Sequence, residues 1–337
     1  MSELKKASMK YEILVLKGGG IYEREVSMMT GENVESNLRK MGHNVNSVDI
    51  ERVDIIQYLQ GLNRKPDLIF NCLHGKVGED GTIQAILDWF DLKYTHSGIA
   101  SSAVAMDKDL SAQIAEGYGI ICPLSYTMTM EDYINKNYWG KHIIKPINNG
   151  SSVGVRVINS PEAKSIAEAA SRLENAPIRE DGKLIVQEYI PGIDLSVPVL
   201  CGYSIGCVEI KTREEIYSET CKYDGTSIHT LFNETTIKHK ACLWAEKMHA
   251  ALKCSGITRA DFRYNPDIPE DKGLYYLETN TQPGLCALSI IPKMLEMQGS
   301  SLSNILKIII DDVMGVDKVE CVKVPKYSDY AASANEF

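Results

Sequence analysis

Several short segments carry side chains that can do chemistry together. Arg259-Ala260-Asp261-Phe262 is followed by Leu277-Glu278-Thr279-Asn280-Thr281. Alternate residues of a strand face one side, so Arg259 shares a face with Asp261, and Glu278 with Asn280. If the two strands are antiparallel neighbours, oxygen ligands converge with one guanidinium. Few carboxylates plus an amide carbonyl suit a Mg2+ ion shared with substrate phosphates. A second segment, His142-Ile143-Ile144-Lys145-Pro146, ends an apolar run in a lysine that is costly to leave unpaired. The loop after it, through Gly150-Ser151-Ser152-Val153-Gly154, offers backbone N–H groups to an anion. The pair suggests phosphate binding, although the pattern G-x-x-x-x-G-K-[ST] is absent from the chain. A third, Pro283-Gly284 leading to Ser289-Ile290, is either a carboxylate site at a helix start or a serine cap.

Two glycine-rich turns follow apolar strands near the N-terminus. Gly18-Gly19-Gly20 does not complete G-x-G-x-x-G, because Glu23 stands at the last position and Glu25 adds a second acid. The turn is either a plain tight turn or a support that aims Glu23 at a cationic ligand group. Leu73-His74-Gly75 with Gly78-Glu79-Asp80-Gly81 is the other, and both loops belong to the same sheet edge. Lys222-Tyr223 sits in a polar stretch, Ser218 to Ser227, of the kind that forms a lid.

The elements that must hold these groups are legible in the hydrophobic pattern. Strands at Glu12–Leu16, Val45–Ile50 and Leu68–Phe70 alternate with helices at Val26–Met41, Val53–Leu62 and Ile83–Phe90. This alternation predicts a parallel sheet covered on both faces, closing near residue 105. Beyond it, a helix at Asp107–Gly117 precedes strands at His142–Lys145, Ser152–Ile158 and Leu184–Tyr189, with a helix from Pro161 to Arg172. Then come strands at Leu195–Leu200, Ser204–Lys211, Gly256–Tyr264 and Gly273–Glu278, interrupted by a helix at Ile237–Leu252. Two helices follow Ser289 and Ser301. The second part reads as α+β.

Composition limits the function. The chain has 337 residues, enough for about two domains of ~150 residues. Its 36 Lys and Arg against 45 Asp and Glu give a net charge of −9. Such a surface argues against broad binding to nucleic acid or anionic lipid. No apolar run reaches ~18 residues, and Met1–Lys10 lacks a signal-peptide core, so no membrane association is expected. Nine cysteines, an odd number without a C-x-x-C pair, read as reduced thiols of a cytoplasmic protein.

Seven of these segments in this order resemble the ATP-grasp ligases of the D-alanine–D-alanine ligase family: Glu23-Arg24-Glu25-Val26-Ser27, Leu73 to Gly81, Met106-Asp107-Lys108, Lys145 to Gly154, Lys222-Tyr223, Arg259-Ala260-Asp261 and Glu278 to Gly284. The resemblance covers nearly the whole chain. It implies an ATP-grasp fold behind a Rossmann-like parallel-sheet domain, divided as 11–105, 106–190 and 191–315, with a tail at 316–337. It implies that Lys108 and Lys145 hold the nucleotide phosphates and that Lys222 reaches the γ-phosphate. Backbone groups of Glu188 and Ile190 would read the base, Gln187 would face its amino group and Asp194 would take the ribose. The family usually has glutamate at the last two positions, so both are departures. The residues around Lys222 depart as well: one of two usual tyrosines is kept, and the proline-alanine pair after the lid is not evident.

Further implications concern the reaction. Asp261, Glu278 and Asn280 would bind two Mg2+ ions, with Mn2+ as an alternative. Glu23 would bind the ammonium of a first D-alanine, which ATP converts to an acyl phosphate. Ser289 and the N–H groups near Ile290 would hold the carboxylate of a second. Arg259 and the Gly284 N–H would stabilise the oxyanion, with His74 nearby. Ser151 and Tyr223, bonded with Glu23, would tie the lid. The resemblance also implies a homodimer and a role in peptidoglycan synthesis. Ligases for D-lactate or D-serine, other ATP-grasp carboxylate–amine ligases and a non-catalytic nucleotide-binding protein are the alternatives. Tyr223 after Lys222 favours D-alanine as acceptor, and the retained metal and arginine positions argue against loss of catalysis.

Overall fold

The computed structural model describes residues 9–20, 23–136, 140–150, 152, 154–159, 181–213, 215 and 227–316. Ser151, Lys222 and Tyr223, the helix expected at Pro161–Arg172 and the tail from 317 lie outside them.

Strand β1 (Glu12–Lys17), helix α1 (Arg24–Lys40), β2 (Asn44–Asp49), α2 (Ile55–Gln60), β3 (Leu68–Asn71) and α3 (Thr82–Trp89) build the first unit. Its sheet is parallel in the order β2-β1-β3. The continuous apolar run of β1 is explained by burial on both faces. Leu14, Leu16 and Ile69 pack with Leu59, Ile83 and Leu87 of α2 and α3. Ile13, Val15 and Phe70 pack the other way, with Val34 and Leu38 of α1.

Next come α4 (Ile99–Met106) and α5 (Lys108–Gly117). A four-stranded antiparallel sheet follows, made of β4 (Ser125–Thr129), β5 (His142–Pro146), β6 (Arg156–Ile158) and β7 (Lys183–Glu188), with α6 (Met130–Asn135) after β4. Its order is β4-β7-β5-β6. The strand expected from Ser152 begins only at Arg156. Ser152 and Gly154 have φ of 61° and 79°, a left-handed backbone that cannot sit in a ladder.

A larger antiparallel sheet contains β8 (Ile193–Leu200), β9 (Tyr203–Ser204), β10 (Val208–Lys211), β11 (Ile228–Leu231), β12 (Ile257–Tyr264) and β13 (Leu274–Asn280), in the order β11-β10-β8-β12-β13 with β9 on β8. The single strand expected at Ser204–Lys211 is therefore two. The chain breaks at Ile205, whose N–H donates to the Pro198 carbonyl. Helix α7 (Thr235–Ala251) precedes β12 and packs on this sheet through Ile237, Ala241, Trp244, Ala245 and Met248. Helices α8 (Ile290–Met297) and α9 (Leu302–Met314) end the described chain. Their Met294, Leu306, Ile309 and Ile310 join the core containing Ile13, Val15 and Phe70, so the C-terminal helices complete the first unit.

Candidate active site

The sheet geometry puts the acids and the arginine where the sequence pattern needs them, with the help of one irregularity. On β12 and β13, Arg259 is opposite Asn280 and Asp261 opposite Glu278, while Phe262 is already opposite Tyr276. Leu277 is the extra residue of a β-bulge. Leu274 and Tyr276 point into the core. Without the bulge, a period of two would send Glu278 and Asn280 there too. With it, Glu278 and Asn280 line the cavity beside Arg259.

Two adjoining cavities of about 830 and 980 Å3 share Lys108, Asn149 and Glu278. The first is bordered by Glu23, His74, Arg259, Asn280, Gly284 and Ser289. The second is bordered by Lys145, Asp194, Asp261 and the run Gln187-Glu188-Tyr189-Ile190. Of the residues to which the family resemblance gives a role, the described ones therefore all line one of two adjoining spaces.

In the first cavity, Glu23 is 8% exposed. Its carboxylate lies across two glycines: a Cβ on Gly75 (φ 65°) would be 1.8 Å from Glu23 Oε2, and one on Gly150 2.9 Å from Oε1. The turn after β1, which leads to Glu23, and the His74-Gly75 turn after β3 thus meet at this acid, as expected of one sheet edge, while Gly150 comes from the loop after β5. At the first turn, Gly18 is needed for packing against the end of β2. Arg24 Nη1 donates to Asp49 Oδ1 at 2.9 Å, and a Cβ on Gly18 would be 2.2 Å from that oxygen. His74, itself buried, meets Thr30 Oγ1 at 3.1 Å and Glu79 Oε1 at 3.3 Å. Ser289 occupies the N-cap position of α8 but makes no side-chain cap hydrogen bond. The serine-cap alternative therefore does not describe it.

The two lysines come from different elements. Lys108 opens α5, whose N-cap Asp107 accepts from the N–H groups of Asp109 and Leu110. Its Nζ donates to the Asn149 carbonyl and pairs with Glu278 Oε2 at 3.2 Å. Lys145, on β5, is 7% exposed and donates to Gln187 Oε1 at 2.9 Å. Gln187 Nε2 in turn donates to Ser125 Oγ at 2.9 Å. Burial, aided by the charge of Lys108 and opposed by Glu278, pushes the Lys145 ammonium down to about 8. A neutral amide as its partner leaves that burial uncompensated.

Asp261 is held by Arg259, with Nε–Oδ1 at 2.9 Å and Nη2–Oδ2 at 2.8 Å, and accepts from Ser196 Oγ at 2.6 Å. Asp194 Oδ1 pairs with Arg263 Nη1 at 2.9 Å. Among the described residues no group of three or more His, Cys, Asp or Glu is placed to hold a metal by itself. Two facing carboxylates and one amide oxygen fit a hard cation that completes its shell with phosphate oxygens and water. Arg263, Ser196 and Asn149 were not singled out from the sequence. Arg263 continues the alternation of Arg259 and Asp261 and was findable from it; Ser196 and Asn149 reach the site only through register and loop path.

A parallel-sheet unit followed by two antiparallel sheets that enclose a cleft with a buried lysine, facing acids and an arginine is the arrangement expected of an ATP-grasp ligase. The D-alanine–D-alanine ligase C-terminus model matches residues 130–311 and the corresponding N-terminus model residues 54–97. A D-alanine–D-alanine ligase of Wolbachia pipientis wMel is 37% identical over 311 residues, covering 89% of this chain and 93% of the relative. One from Erythrobacter litoralis is 35% identical, covering 90% and 93%. The ligase of Bacillus anthracis, solved in complex with ATP, superposes with a TM-score of 0.72 at 26% identity, over 90% of this chain and 97% of that one. The chain belongs to the D-alanine–D-alanine ligase family.

Proposed function

We infer that this protein joins D-alanine to D-alanine with hydrolysis of ATP to ADP and phosphate, the step that supplies the dipeptide for peptidoglycan. The observation that carries the reading is the meeting of the two cavities at Lys108, Asn149 and Glu278. A nucleotide in the larger cavity would present its terminal phosphate toward that junction, and so toward a carboxylate in the smaller one.

A carboxylate is a poor electrophile, so the first D-alanine is phosphorylated before it is attacked. Glu23, buried on two glycines, binds its ammonium. Lys108 and Lys145 offset phosphate charge, and Lys222 reaches the γ-phosphate from the lid. Asp261, Glu278 and Asn280 would hold two Mg2+ ions, which would offset charge on the transferring phosphoryl group. The second D-alanine places its carboxylate at Ser289 and the N–H groups of the first turn of α8. Its neutral amine attacks the acyl carbon, Arg259 with the Gly284 N–H stabilises the oxyanion, and collapse breaks the acyl C–O bond to expel inorganic phosphate as the nitrogen gives up its proton to solvent or phosphate. His74 stands beside the reacting group. Ser151 and Tyr223 tie the lid to Glu23 and exclude water. The strand end from Gln187 to Ile190 holds the base, and Asp194 the ribose. We assign residues 11–105 to the N-terminal domain, 106–190 and 191–315 to the two ATP-grasp subdomains and 316–337 to a tail. The protein acts as a homodimer, a reading supported by the family, and in the cytoplasm, to which the scattered thiols are suited.

Phosphate release and product analysis with D-alanine, D-lactate, D-serine and L-alanine test the reading. D-Alanine alone should give rapid phosphate release with D-alanyl-D-alanine as product. A depsipeptide or a D-alanyl-D-serine product formed preferentially from mixtures would overturn it.

A further inference from the structure

Ser289 does not cap its helix, yet its hydroxyl is held. A Cβ on Gly284 would be 2.5 Å from Ser289 Oγ, so the hydroxyl rests directly on that glycine. On its other side, Cys286 Sγ lies 3.1 Å from Oγ, within hydrogen-bond distance. The Ser289 N–H also donates to the Cys286 carbonyl at 2.9 Å, which closes the turn and fixes the two side chains relative to each other. Cys286 is 2% exposed and does not line the cavity, whereas Ser289 does.

We propose that the Cys286 thiol is a positioning residue that orients the Ser289 hydroxyl toward the carboxylate of the acceptor amino acid. The proposal rests on the reading of Ser289 given above. A carboxylate only accepts hydrogen bonds, so Ser289 must donate its proton to it. The lone pairs of Oγ then need a donor, and the Cys286 S–H supplies one. The thiol thus selects the rotamer and the hydrogen orientation that the acceptor needs, without touching the substrate. A weak S–H donor suffices, because the alternative is a hydroxyl free to turn back and cap α8, as serines at this position ordinarily do.

The test separates the two D-alanine constants by initial rates over a wide D-alanine range, with ATP varied independently. Cys286→Ala should raise KM for the acceptor about three- to tenfold, the worth of one neutral hydrogen bond. The donor KM, the ATP KM and kcat at saturating D-alanine should stay within about twofold. Cys286→Ser keeps a donor and should restore the acceptor KM. Ser289→Ala should raise that KM further, and adding Cys286→Ala to it should change nothing more, since the thiol acts only through the hydroxyl. An unchanged acceptor KM in Cys286→Ala, with Ser289→Ala raised, would overturn the role of the thiol alone. An unchanged acceptor KM in Ser289→Ala would overturn the assignment of the acceptor site and this proposal with it. A uniform loss across all constants with a lowered melting temperature, not rescued by serine, would show Cys286 to be packing only.

Discussion

Lys145 is the residue whose environment makes the sharpest demand on function. It stands as a cation below about 8 and loses its proton above, because burial beside Lys108 outweighs the help of Glu278. Phosphate oxygens favour the charged form, so ATP should bind with uptake of a proton once the free site is partly neutral. ATP affinity measured from pH 6 to 10 should therefore be level at first and decline as pH rises through about 8. Gln187→Glu gives Lys145 an anionic partner and should displace that decline to higher pH; an unmoved profile would separate Lys145 from the phosphates. Arg259→Met removes a guanidinium from the cavity and also strips Asp261 of its bidentate partner. The expected loss is ~3–4 kcal/mol in the transition state, on the order of 10²–10³ in kcat, with ATP affinity changed far less. A collapse of ATP affinity at normal kcat would make Arg259 a nucleotide ligand. At this scale the sequence was informative because acids, amide and arginine alternate visibly. It could not show that Gln187 is turned to Lys145 and Ser125, since that pairing joins residues 42 and 62 positions apart.

Whole elements were legible where they bury an apolar stripe and illegible where they do not. The strands and helices of the first unit lie within a few residues of their expected places, because β1 and β3 are buried on both faces and α1 on one. Helix α4 escaped notice: its buried residues are Ser101, Ser102 and Ala105, which make no hydrophobic period. Strands β4 and β11 are edge strands with little buried surface. The bulge at Leu277 leaves no local sign either, although it decides which way Glu278 points. Helix α5 shows what an element contributes to the site. Its N-cap Asp107 precedes Lys108, so the cap and the lysine proposed to bind phosphate are neighbours in the chain. Asp107→Ala should cost ~1 kcal/mol of stability. It should also raise the ATP KM, because Lys108 then sits on a frayed first turn. Thermal melts and ATP titration check both; a stability loss with unchanged ATP KM would show that Lys108 is held by Asn149 and Glu278 alone.

At the scale of the molecule, the order of the chain and the order of the cores differ. Sequence pattern alone suggests an N-terminal unit that closes near residue 105. Its sheet nevertheless shares one core with α8 and α9, more than 180 residues later. Leu306 and Ile309 are 0% exposed there, against Ile13, Val15 and Phe70. Asn33 Nδ2 on α1 donates to the Leu285 carbonyl at 2.6 Å, and Ser303 Oγ on α9 donates to Asn37 Oδ1 at 2.9 Å, so polar contacts tie the same elements. Removing α8 and α9 would strip part of the cover that they share with α1 over one face of a three-stranded sheet, which is too small a structure to lose it. A fragment of residues 9–106 should accordingly show no cooperative unfolding transition in urea. Within the full chain, Leu306→Ala should destabilise by ~2–5 kcal/mol, the cost of an emptied leucine site in a packed core. Because α8, which shares this core with α9, follows directly from the Gly284–Ser289 turn, the loss should be felt at both ends: probes on the first sheet and the acceptor KM should change at the same urea concentration. A cooperative transition in the fragment, or an N-terminal transition unmoved by Leu306→Ala, would mean that the first unit folds without the C-terminal helices.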